Sequence, residues 1–198
     1  MFLIQYLTYF THMKLEDFCK NKILTNLRRA AEVSVSLSSL FQYPFGETKA
    51  LGSRRNIAEL LEHLAWIPKE EILLMKGFSR EEISTQLGDP ILSTKQLAKA
   101  LEESLNFFEK EIKCIKLTDF YENAAGTKMT AYEWCLEVLT HFVNHRDQLY
   151  LNIVLRGMLP SKEMLNQLFP GHLPMSDKSY QDLQRMVKDY ENTNCNNR

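Results

Sequence analysis

The chain has 198 residues, with 24 Lys plus Arg against 25 Asp plus Glu, 44% hydrophobic residues, and only 7 Gly and 6 Pro. This length suits one domain, or one domain with an extension, and too few turn-formers are present for an all-β sandwich or barrel. The balanced charge excludes a basic nucleic-acid or membrane-surface protein, and the four Cys (19, 114, 135, 195) include no CxxC pair, as expected of scattered reduced thiols.

The opening MFLIQYLTYFTH is apolar but lacks a basic start and a small-residue cleavage site, so it reads as a lead-in (residues 1–14) rather than a signal peptide. Met13 offers a second start, and no run approaches 18 apolar residues. The expected compartment is the cytoplasm.

Apolar residues recur at helical spacing almost throughout. A first helix is predicted over residues 15–40, on Phe18, Ile23, Leu27, Ala31 and Val35, with Tyr43-Pro44-Phe45-Gly46 stopping it. Ser53 is the expected N-cap of a second helix carrying Ile57, Leu60, Leu61, Leu64 and Ile67, interrupted or kinked by Pro68. A short helix is predicted near residues 79–87, ending at Gly88-Asp89-Pro90.

The third long helix starts at Ser93 or Thr94 and shows Leu97, Leu101, Leu105, Phe108 and Ile112. Residues 113–128 connect it to a fourth, with Gly126-Thr127 marking a turn. Thr130 caps that fourth helix, Glu133 completes a capping box, and Gly157 closes it after Arg156. A short helix (162–169), the loop Pro170-Gly171-His172-Leu173-Pro174, a helix over 177–190 and a frayed polar tail follow. Four long helices joined by loops predict an all-α four-helix bundle over residues 15–157, with a helical extension over 158–198.

On the fourth helix, Trp134, Val138, His141, His145, Gln148, Asn152 and Leu155 trace one face. Its ends are apolar, its middle is polar, and Leu139, Phe142, Leu149 and Ile153 flank it. Buried polar groups in a row need partners, which a metal ion or a wet pocket would supply. Imidazoles four residues apart can share one ion, although five His give such a spacing by chance about one time in ten. Core or groove histidines bonded to their neighbours are the alternative. His63, among the core positions of helix two, supplies a third imidazole and an open, catalytic type of coordination.

The segments LLEHLAW around His63 and THFVNHRDQLYLNIVLRG around His141 and His145 resemble the DinB/YfiT-like superfamily of metal-binding helical bundles over residues 15–157. That family carries one His on its second helix, then His-x3-His-Arg-Gly-Gln and Leu-Arg-x-x-Gly on its last bundle helix. Asp147 stands where the family has Gly, and Arg156-Gly157 is more closely spaced than the family's pair.

The resemblance implies an up-down-down-up bundle with a divalent metal, zinc or nickel, on His63, His141 and His145. It also implies a transferase joining a low-molecular-weight thiol to an electrophile. A metal-dependent hydrolase using metal-bound water, or a non-catalytic metal- or ligand-binding stress protein, are the alternatives. Homodimerisation is a further expectation, with neither nucleic acid nor membrane as partner. Gln148, Asn152, Trp66 and Trp134 are the candidate substrate-binding residues, each with core packing as its ordinary role. Glu59, one turn before His63, is the candidate for orienting that imidazole, against a plain solvated carboxylate. Arg146 and Arg156 could steer an anionic thiol.

Overall fold

The structure, a computed structural model, describes residues 15–41, 56–168 and 174–195, the last with side chains to residue 189. The lead-in, the Tyr43–Gly46 stop, the Ser53 cap, His12, His172 and the last three residues lie outside the described residues.

In chain order the elements are α1 (Leu15–Ser38), α2 (Ile57–Met75), α3 (Arg80–Ser84), α4 (Thr94–Cys114), β1 (Phe120–Glu122), β2 (Lys128–Thr130), α5 (Ala131–Val154), α6 (Lys162–Leu168) and α7 (Asp177–Cys195). The four long helices α1, α2, α4 and α5 form the bundle: α2 packs between α4 and α5, and α1 packs against those same two from the opposite side.

Side-chain pairs fix the helix directions. Lys20 near the start of α1 donates to the Ile115 carbonyl just past α4, Arg28 meets Asn106 and Glu109, and Ser38 meets Thr94, so α1 and α4 run antiparallel. Lys69 meets Ser104, and Lys76 meets Glu111 further along both helices, so α2 and α4 run parallel. His63 lies against His145, while Glu71, later in α2, reaches His141, earlier in α5; that pair is antiparallel. The bundle is therefore up-down-down-up. Parallel neighbours cannot be joined by a tight turn, which is why α3 and its flanking loops must carry the chain back along the bundle between α2 and α4.

The core is one continuous apolar cluster. Leu27 and Leu37 of α1, Leu60, Leu61, Leu64 and Ile67 of α2, Leu97, Phe108 and Ile112 of α4, and Phe142, Leu149 and Ile153 of α5 are fully buried. Each such side chain contributes about 1.5–3 kcal/mol by leaving water. Phe18, expected on the apolar face of α1, is half exposed.

Local signals set the helix boundaries. The N-cap of α2 is Asn56 rather than the expected Ser53: its side chain accepts the Glu59 amide while the Glu59 carboxylate takes the Asn56 amide. Ser79 with Glu82 and Thr130 with Glu133 repeat this reciprocal cap at α3 and α5, and Ser93 caps α4. Gly157 sits at φ +75°, with its own amide and that of Met158 turned back to Val154 and Ile153, which ends α5.

Two further expectations change. Pro68 does not end α2, which continues to Met75. The connection after α4 is an antiparallel hairpin, pairing Phe120 with Thr130 and Glu122 with Lys128 around the Asn123 turn. Its three-residue strands are too short to carry a periodic signal. After α5, α6 packs on α1. In the loop before α7, the Met175 amide donates to Asn166, and Tyr180 of α7 donates to the Pro160 carbonyl. Among the described residues no helix is long and apolar enough to cross a membrane.

Candidate metal centre

Polar side chains of α2 and α5 meet at the middle of their packed faces. His63 Nε2 lies 3.2 Å from His141 Nε2, and His145 Nε2 lies 3.1 Å from the same atom. The three rings are tilted or edge-on to one another, with centroids 4.7–5.1 Å apart. Among the described residues they are the one group of three or more His, Cys, Asp or Glu placed to share a metal ion. All three are half-buried, so the centre is held by the core yet reachable from outside.

Every ring has an oxygen acceptor behind it. His141 Nδ1 is 2.7 Å from Glu71 Oε1, His145 Nδ1 is 2.9 Å from Gln148 Oε1, and His63 Nδ1 is 3.5 Å from Glu70 Oε2. Such oxygens hold the ring proton on Nδ1 and leave a lone pair on Nε2. With the proton so placed on His141 and His145, two Nε2 lone pairs would face each other 3.1 Å apart, an arrangement a cation resolves. Nitrogens about 2.0–2.1 Å from one tetrahedral ion stand about 3.3–3.4 Å apart, close to the 3.2 and 3.1 Å that separate His141 Nε2 from its two neighbours. The donor set fits a divalent metal with a position left open.

The Glu70 carboxyl is held below the usual carboxylate range, chiefly by its interaction with His63 and against the opposing effect of its burial; Arg80 and His141 add to the lowering. Glu70 therefore brings negative charge to the outer side of His63, which would offset part of the charge of an ion held there.

The other expected residues are placed as follows. Gln148 stands behind His145, and the fully buried Asn152 donates to the Gln148 carbonyl, so both are tied into the α5 scaffold. Trp134 is buried in the core. Trp66 faces the α4 side: it lines a cavity of about 210 Å³ with Gly88, Asp89, Pro90 and Ile91, and the Lys69 ammonium sits 5.4 Å from its ring centre. Glu59 is a correction, because its carboxylate closes the Asn56 cap and Glu70 is the carboxylate beside His63. Arg146 is buried and held by the side chain of Asp147, the residue that departs from the family pattern, and Arg156 stacks over Phe41.

Glu70 and Glu71 were not expected. They follow Pro68 by two and three residues, and a helix expected to be interrupted or kinked at Pro68 gives no reason to return them to the His63 face. The available signal was spacing: seven residues is close to two full turns, which puts Glu70 under His63, and one step more swings Glu71 toward the neighbouring helix.

A four-helix bundle with three imidazoles converging between two of its helices defines the class, and the solved structures bear out its fold. A crystal structure of a candidate member of the DinB family from Exiguobacterium sibiricum superimposes with a TM-score of 0.64 at 18% identity, covering 74% of this chain and 97% of that one. The chain thus has a DinB-like, all-α bundle fold. No protein-family model matches the sequence, and no curated protein matches it.

Proposed function

We propose that this protein is a metal-dependent enzyme of the DinB-like type that transfers a small thiol to an electrophile. The observation that carries the reading is the approach of His63 Nε2 and His145 Nε2 to within 3.2 and 3.1 Å of His141 Nε2, each ring with an acceptor oxygen behind it.

His63, His141 and His145 would hold the ion. A divalent metal bound there supplies Lewis acidity that keeps a thiol in its thiolate form at neutral pH. The chain's own residues fix the geometry. Glu71 Oε1 and Gln148 Oε1 stand 2.7 and 2.9 Å from the Nδ1 atoms of His141 and His145 and hold the orientation of these rings. Phe142, between the two α5 ligands, and Leu149, one turn beyond His145, are fully buried and hold the helix against the core. Cys135 is no nucleophile: burial pushes its thiol up to about 12, against a small opposing effect of Lys20.

The test combines metal analysis with turnover. Purified protein is expected to bind one divalent ion per chain, His141→Ala to lose it, and the loaded protein to couple small cytosolic thiols to an electrophile panel. Turnover that persists without any thiol would favour the hydrolase instead. Wild-type protein that takes up no divalent metal would overturn the reading.

A further inference from the structure

Glu71 lies on α2, eight residues past His63, and has only 11% of its side chain exposed. Its Oε1 lies 2.7 Å from His141 Nδ1, the shortest of the three contacts behind the imidazoles. His141 is the middle ring, since its Nε2 is the atom to which both other Nε2 atoms are close.

We propose that Glu71 is the positioning residue that makes His141 a ligand, by fixing its Nδ1–H tautomer across the α2–α5 interface. The inference rests on the metal-holding reading above. A free neutral imidazole carries its proton on either nitrogen, and only the Nδ1–H form offers an Nε2 lone pair to the centre. A carboxylate at hydrogen-bond distance selects that form and raises the basicity of the opposite nitrogen.

The position of Glu71 depends on how α2 passes Pro68. Proline has no amide proton, and its ring crowds the carbonyl four residues back. The next amide, Lys69 N–H, donates to the hydroxyl of Ser104 on α4 at 3.0 Å, and Ser104 is fully buried. This bond anchors α2 to α4 two residues before Glu71. The helix therefore continues beyond Pro68 and carries Glu70 and Glu71 to the imidazoles. The same helix supplies one ligand, His63, and the group that orients another, so the centre is built by the packing of α2 on α5.

The tautomer can be read without metal. In metal-free protein with ¹⁵N-labelled histidine, long-range ¹H–¹⁵N correlation should show His141 protonated at Nδ1. Glu71→Ala should lose that preference and weaken zinc binding about 100-fold, measured by competition with a chromophoric chelator. Glu71→Gln, whose side-chain oxygen still accepts the proton, should keep the tautomer and weaken zinc about 10-fold through loss of charge. It also serves if Glu71→Ala does not fold. A wild-type His141 protonated at Nε2, or either variant binding zinc as tightly as wild type, overturns the proposal. If wild type itself binds no zinc, the metal reading fails, and the tautomer still decides the role of Glu71.

Discussion

The amide of Lys69 donates to the hydroxyl of Ser104 at 3.0 Å, linking two parallel helices at the point where Pro68 disrupts the ladder of one of them. Ser104 has no exposed surface, so no water can take its place. Ser104→Ala should cost about 1–3 kcal/mol, the penalty for a buried donor left without an acceptor. Urea unfolding of the metal-free protein would measure it. A loss below about 0.5 kcal/mol would show that the amide finds another partner.

Gly88 rests directly on Trp66. A Cβ there would stand 2.7 Å from Cζ2 of Trp66, a residue only 3% exposed. Gly88→Ala should destabilise the protein by about 1–3 kcal/mol through overpacking and shift the tryptophan emission. The His cluster lies on the α5 side of α2, so zinc affinity should stay close to wild type.

Zinc should act on stability by mass action. At a free concentration about 100 times its dissociation constant, it should stabilise the fold by about 2.7 kcal/mol, read as a rise in Tm that a chelator reverses. His63→Ala, His141→Ala and His145→Ala should each lose most of that rise. An equal rise in a triple His→Ala variant would place zinc elsewhere.

Cys135 should resist thiol reagents in the native state, whereas Cys114, exposed at the end of α4, should react quickly. The Cys135 thiol is raised to about 12 from an unfolded value near 9, so the neutral thiol is the form the fold favours. Its contribution to stability is complete below pH about 9 and is lost as pH rises from there toward 12. Cys135→Ala should flatten that alkaline loss in a stability-versus-pH curve. Fast labelling of Cys135 in the folded protein would contradict its burial.

Much of this molecule is legible in one dimension. The reciprocal caps at Thr130–Glu133, the Ser93 cap and the closure at Gly157 are written in residues three or four apart, and they stand where the pattern puts them. The apolar spacing of Leu60, Leu61, Leu64 and Ile67, or of Leu97, Leu101, Leu105 and Phe108, marks the buried faces directly. Short-range signals also misled: Glu59 sits one turn from His63, yet its carboxylate takes the amide of Asn56. Pro68 reads as an interruption or a kink because the sequence does not show Ser104 waiting on another helix.

The sequence by itself determined four amphipathic helices and three imidazoles on their inward faces, because helix periodicity and capping depend on neighbours in the chain. Only the tertiary structure decided what stands behind those imidazoles. Glu71 reaches His141 from 70 residues away, and Glu70 reaches His63 only because the helix survives its proline. Such partners are chosen by the packing of α2 against α4 and α5, and that packing leaves no periodic trace in the chain.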